Sequence, residues 1–158
     1  KIVTEVLKTF GGVEHRQEFV KTVNGVDFVN DSKATNPDST IKAIESYQNP
    51  IVLIAGGMDK KSDFYDVIDV INRSPVKAIV LIGETAKKIE AQANEKGFGG
   101  LIVKTSSMKD AVSVSKKISK EGYTVLLSPA CASWDMYPNF EARGLDFKNN
   151  VLGVKNNL

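Results

Sequence analysis

Four unbroken apolar runs constrain this chain more than any other feature: Ile51 to Ala55 (IVLIA), Ala78 to Ile82 (AIVLI), Leu101 to Val103 (LIV) and Thr124 to Leu127 (TVLL). Strands with one wet face alternate apolar and polar residues, so runs without alternation suit strands covered on both faces. Each interval between them reads as a helix. Asn36-Pro37-Asp38 supplies a cap, a proline for the first turn and an early acid, followed by Ile41 and Ile44 on one face. Ser62 is the expected cap of a helix carrying Phe64, Val67, Ile68 and Ile71, and Thr85 opens another with Ile89 and Ala93. Ser107 opens a fourth with Met108, Ala111 and Val112, and a last helix covers much of Phe140 to Leu152.

Ahead of these lie two strand candidates, Val13 to Val23 and Val26 to Val29, separated by Asn24-Gly25, a dipeptide suited to a tight hairpin. Strand and helix alternating at this spacing predict parallel strands joined by crossovers. The expected fold is a three-layer, Rossmann-like α/β domain. It has a mostly parallel sheet of about six strands, an antiparallel N-terminal hairpin strand and helices on both faces. The opening KIVTEVLKTF carries Ile2, Val6 and Phe10 at helical spacing and ends at Gly11-Gly12, so residues 1–10 read as the end of a preceding domain or a linker.

With 158 residues, 42% hydrophobic and 25% charged, the chain is not a disordered tail or a collagen-like repeat. A domain of this length buries roughly 70% of its unfolded surface and needs no covalent staple. A lone cysteine, Cys131, permits no internal disulfide and suits a reducing compartment. No apolar run approaches the roughly 18 residues of a membrane helix, and no signal-peptide core is present, so the expected location is cytoplasmic, with no membrane partner. Lysine and arginine number 21 against 19 acids, and the lysines are scattered, so nothing implies a nucleic-acid partner.

In wound sheets, ligands bind beyond the carboxyl ends of the strands. Four polar clusters fall near such ends or beside the hairpin: His15-Arg16, Asn30-Asp31-Ser32-Lys33-Ala34-Thr35-Asn36, Gly56-Gly57-Met58-Asp59-Lys60-Lys61 and Ser128-Pro129-Ala130-Cys131-Ala132-Ser133. DSKATNP sets a carboxylate, a lysine and two hydroxyls before a helix whose first N–H groups favour an anion. Its other reading is a loop whose polar side chains only satisfy their own backbone. Gly56-Gly57 permits a sharp turn off a buried strand, after which Lys60 projects a compact charge suited to phosphate or carboxylate, or is simply solvated. GGMDKKS lacks Walker spacing, and GxGxxG and GxSxG are absent. Cys131 between alanines reads as a buried thiol, and Ser133 as a hydroxyl donor. His15 is either a satisfied hairpin histidine or a neighbour of a base or sugar. Arg16 has the planar fork that holds phosphate with two bonds. One histidine and one cysteine make no conventional structural zinc site.

Taken in order, FGGVEHRQE, VNDSKATNPDST, IAGGMDKKSDF, VLIGE and LLSPACASWDMYPNFEARGLDF resemble the C-terminal domain of Mur ligases, on the glutamate-adding branch. The resemblance runs from about Phe10 to Phe147. It implies that residues 11–158 are that C-terminal domain and that residues 1–10 end a central ATPase domain. It further implies an ATP-dependent ligase of cytoplasmic peptidoglycan precursor synthesis, which activates the carboxylate of UDP-MurNAc-L-alanine as an acyl phosphate for attack by D-glutamate. Mg2+, the Walker loop and most UDP-sugar contacts would belong to the two preceding domains. The resemblance places His15 near the adenine, Arg16 at the ATP phosphates and Asp31 at the ribose. Lys33, Thr35 and Lys60 would hold one carboxylate of D-glutamate, and Ser133 with the backbone of Phe140 the other. Trp134 and Tyr137 depart from the usual residues of the motif. The competing readings are a free-standing nucleotide- or anion-binding module, a structural interaction domain, and a Mur-type or folylpolyglutamate-type ligase domain for another amino acid.

Overall fold

A computed structural model describes residues 13–155, so the short helix expected over residues 1–10 lies outside the described residues. The elements run β1 (Glu18–Val23), β2 (Val26–Asn30), α1 (Pro37–Glu45), β3 (Ile51–Ala55), α2 (Tyr65–Asn72), β4 (Val76–Leu81), α3 (Ala86–Glu95), β5 (Leu101–Lys104), α4 (Met108–Ile118), β6 (Thr124–Leu127) and α5 (Phe140–Leu152). They form one six-stranded sheet in the order β1-β2-β6-β3-β4-β5. The hairpin pair β1 and β2 is antiparallel and every other neighbouring pair is parallel.

Sheet residues alternate between two cores. Leu53, Ile79, Leu81 and Leu126 pack with α1, α2 and α3 through Ile44, Ile68, Ile71 and Ile89. Val52, Ile54, Val80, Val125 and Leu127 face the other way and pack with α4 and α5 through Met108, Val112, Phe147 and Val151. Both faces are covered, so the central strands need no polar residue. Phe28 and Phe147 are fully buried in the second core, with tilted rings 6.5 Å apart. Burial of each contributes about 1.5–3 kcal/mol.

Two expectations need correction. Leu101 to Val103 is not covered on both faces: β5 is the edge strand, Leu101 is 49% exposed, and a three-residue run does not reveal strand position. Ser62 does not cap α2. The helix begins at Tyr65, whose amide donates to Asp63 Oδ1 at 3.3 Å, while the buried Phe64 stands at the cap. Thr85 does precede α3, but its hydroxyl accepts from the amide of Gly57 at 3.0 Å instead of capping the helix. The Asn36 and Ser107 caps form as the sequence indicates, accepting from Ser39 and Asp110. Among the described residues, no helix is long and apolar enough to cross a membrane.

Candidate functional site

β6 enters the sheet between β2 and β3, and its loop therefore meets both of theirs. Asp31 N donates to Leu127 O at 2.7 Å, and Ala130 N donates to Ala34 O at 3.1 Å. Gly56 N donates to Pro129 O and Met58 N to Ala132 O, each at 2.9 Å, and Lys33 N donates to His15 O at 2.9 Å. These bonds stitch the four polar clusters into one rim at the carboxyl ends of the parallel strands.

The rim holds strained backbone. Of the five non-glycine residues with positive φ among the described residues, His15, Gln17, Lys61 and Ala130 lie in it, and the fifth, Asn24, is the hairpin turn. Such residues cluster where function fixes geometry. Gly56 and Gly57, at φ 113° and 155°, turn where a side chain has no room: a Cβ on Gly57 would stand 2.5 Å from Ala132 O.

Arg16, Asp31 and Lys33 line a cleft of about 250 Å³ together with Gln17, Ala34, Ser39 and Lys42. Asp31 is 5% exposed; its carboxylate accepts from Gln17 N at 3.1 Å and from Ser128 Oγ at 2.7 Å. Burial pushes its pKa up to about 6, against the opposing pull of those bonds and of Arg16. Arg16, Lys33 and Lys42 are exposed, so the cleft offers three cations around one costly carboxylate. Lys42 was not apparent as a site residue, although it follows Ser39 by three residues on α1 and so shares its face.

His15 lies behind this cleft. It is 6% exposed, its Nδ1 accepts from Asn30 Nδ2 at 2.9 Å, and its ring stands edge-on to Phe140 at 6.0 Å. Lys148 of α5 reaches back to Glu14 at 2.9 Å and Glu18 at 3.2 Å, anchoring the same turn. His15 thus holds in place the turn from which Arg16 projects.

The remaining expected residues stand along the rim outside this cleft. Lys60 is exposed, with its Nζ 5.1 Å above the ring of Trp134, the residue after the buried Ser133. Thr35 is half-buried, and the carbonyl of Phe140 accepts from Ser32 Oγ at 2.7 Å. Cys131 is 4% exposed, burial pushes its thiol up to about 11, and its Sγ contacts Thr85 Oγ1 at 3.5 Å, so it is no nucleophile near neutral pH. A larger hollow of about 840 Å³ between α4 and α5, lined by Lys109, Lys116 and Asn149, contains none of the expected residues.

The sequence reading missed Arg143. It is 1% exposed and belongs to α5, where positions 143, 144, 147 and 151 trace the inward stripe. An arginine and a glycine on an otherwise apolar stripe were the signal. Gly144 is required by close approach, since a Cβ there would stand 2.2 Å from His15 Nδ1.

The fold is a wound, mostly parallel α/β domain whose strand-end rim carries cations, strained turns and a helix N-terminus. The family profile described as "Mur ligase, glutamate ligase domain" matches residues 15–131, and the chain belongs to the Mur ligases as their C-terminal domain. It is 59% identical over 155 residues to the UDP-N-acetylmuramoylalanine–D-glutamate ligase of Clostridioides difficile, and 52% identical to that of a Thermoanaerobacter species. Each alignment covers 98% of this chain and 34% of the relative, so the chain spans about a third of the length of these curated proteins. Among solved structures, the fold is shared with UDP-N-acetylmuramate–alanine ligase from Thermotoga maritima (TM-score 0.55, 14% identity, 96% of this chain and 33% of that one). It is also shared with the MurF ligase of that organism in complex with ADP (TM-score 0.57, 16% identity, 96% and 36%).

Proposed function

We propose that this chain is the amino-acid-binding domain of a cytoplasmic, ATP-dependent ligase that joins D-glutamate to UDP-N-acetylmuramoyl-L-alanine. Residues 11–158 are its C-terminal domain, and residues 1–10 are the end of the central ATPase domain or a linker. ATP converts the carboxylate of the UDP-sugar substrate to an acyl phosphate. The amine of D-glutamate attacks it through a tetrahedral intermediate, and ADP and phosphate leave. Mg2+ and most UDP-sugar contacts come from the preceding domains.

The observation that carries this reading is the backbone stitching of three strand-end loops, which sets Thr35, Lys60 and Ser133 on one rim beside the cleft that Arg16, Asp31 and Lys33 line. D-Glutamate brings two carboxylates, and the rim offers lysines and hydroxyls for both. A lysine about 4 Å from a carboxylate gains roughly 4 kcal/mol at an effective dielectric near 20, before desolvation. Arg16 takes the nucleotide phosphates with its fork, Asp31 accepts from the ribose, and His15 supports the turn on the adenine side. The domain acts by holding the amine beside the acyl phosphate, replacing an encounter in water with an oriented attack.

Glutamate-dependent ADP release by the full-length protein tests the reading. Lys60→Ala should raise KM for D-glutamate about ten-fold or more, and Arg16→Ala should raise KM for ATP. Unchanged kinetics in both variants, or release indifferent to D-glutamate, would overturn it.

A further inference from the structure

Arg143 is the largest fully buried side chain among the described residues, and none of their carboxylates stands within ion-pairing distance of it. Its bonds go instead to the ends of two loops. Nε donates to Ser32 Oγ at 2.9 Å, Nη2 to Ser32 O at 2.7 Å, and Nη1 to Cys131 O at 2.8 Å. Ser32 Oγ in turn donates to Phe140 O at 2.7 Å, closing a ring between the loop after β2 and the start of α5. The loop after β3 rests against the same guanidinium, since a Cβ on Gly57 would lie 3.4 Å from Nη1.

We propose that Arg143 is a positioning residue for the amino-acid pocket: its planar fork fixes the spacing between the Ser32 and Cys131 loops, and thereby where Lys33, Thr35 and Ser133 stand around the substrate's carboxylates. This rests on the D-glutamate reading above. A core built only for stability would fill this volume with an apolar side chain, because a buried cation loses its hydration; burial draws the Arg143 pKa down to about 10. Arg143 is still charged at neutral pH. What its three bonds provide is direction in one plane, which a lysine ammonium cannot reproduce. Its acceptors are at the strand ends that bear the binding residues, not in the sheet interior.

The test uses the full-length protein carrying Arg143→Lys and Arg143→Met, followed by melting temperature, hydrogen exchange and steady-state kinetics. Both variants should raise KM for D-glutamate by about ten-fold or more, the scale of one charge-assisted hydrogen bond, with a smaller rise in KM for ATP through the neighbouring Asp31. Amide exchange should quicken in segments 31–36 and 128–134 but not in β3 and β4. If neither variant folds, Ser32→Ala removes one acceptor and the bond to Phe140, and should raise the same KM a few-fold. A folded Arg143→Lys enzyme with KM for D-glutamate and exchange at wild-type values overturns the proposal. So does a variant that only melts earlier. Wild-type protein without glutamate-dependent ADP release would overturn the ligase reading instead, and the exchange measurement would still decide whether Arg143 sets the loops.

Discussion

Replacing Asp31 with asparagine should make the protein more stable, and only above a definable pH. The Asp31 carboxyl ionises at about 6 in the folded chain instead of its ordinary 3.8, chiefly because burial strips its hydration. Below pH 3.8 it is protonated in both folded and unfolded chains and its titration contributes nothing. Between 3.8 and about 6 the unfolded chain has released the proton and the folded chain has kept it, so stability falls as pH rises. Above this window the loss is complete. At about 1.4 kcal/mol per pH unit it amounts to about 3 kcal/mol, a large share of the roughly 5–15 kcal/mol that keeps a domain folded. Asparagine retains an oxygen to accept from Gln17 N, and its amide can donate to Ser128 Oγ, whose own proton then reaches Thr40 Oγ1 at 3.1 Å. Urea unfolding of wild type and Asp31→Asn, followed by far-ultraviolet circular dichroism from about pH 4 to about pH 7.5, isolates the effect because the other titrating groups cancel in the difference. The variant should gain up to about 3 kcal/mol at the upper end and lose that advantage toward the lower. A difference that stays flat across the window would refute the reasoning. If Asp31 takes the ribose as proposed, the same variant should use ATP poorly in the full-length ligase assay.

Gly144→Ala drives a Cβ into His15 Nδ1 and should cost about 1–3 kcal/mol by urea unfolding, weakening ATP use through the displaced Arg16 turn. Cys131, buried and with its thiol near 11, should react with a thiol reagent only as fast as the protein opens, so prompt labelling of the folded chain would count against its placement. Trp134→Ala should raise KM for D-glutamate about two- to five-fold, the scale of an exposed cation–π contact, with Trp134→Phe recovering most of it. Wild-type values in Trp134→Ala would mean that the ring does not restrain Lys60.

What the sequence made legible was local. Uninterrupted apolar runs mark the central strands because both their faces are covered, and Asn36 and Ser107 mark helix starts because their side chains bond within one turn. What it hid depends on neighbours distant along the chain. The position of β5 at the edge follows from the strand order, and Thr85 gave up its cap for an amide 28 residues earlier. The polar clusters could be read as a site because they fall at strand ends, but the burial of His15 could not, since the ring is covered by a helix more than a hundred residues later. Arg143 escaped for the opposite reason. Its residue type suggests a solvated helix face, and only the stripe shared with Phe147 and Val151 reveals that it points inward.

The insertion of β6 between β2 and β3 also governs the order of synthesis and folding. Its register joins Asp27 and Ile51 to Thr124, so both earlier strands wait for a partner made more than seventy residues afterwards. Until that segment leaves the ribosome, the nascent chain carries two unsatisfied strand edges and no binding rim. Pairing so remote in sequence folds slowly and exposes the intermediate to aggregation. A translational stop anywhere before residue 124 therefore yields not a weakened domain but one whose middle is missing.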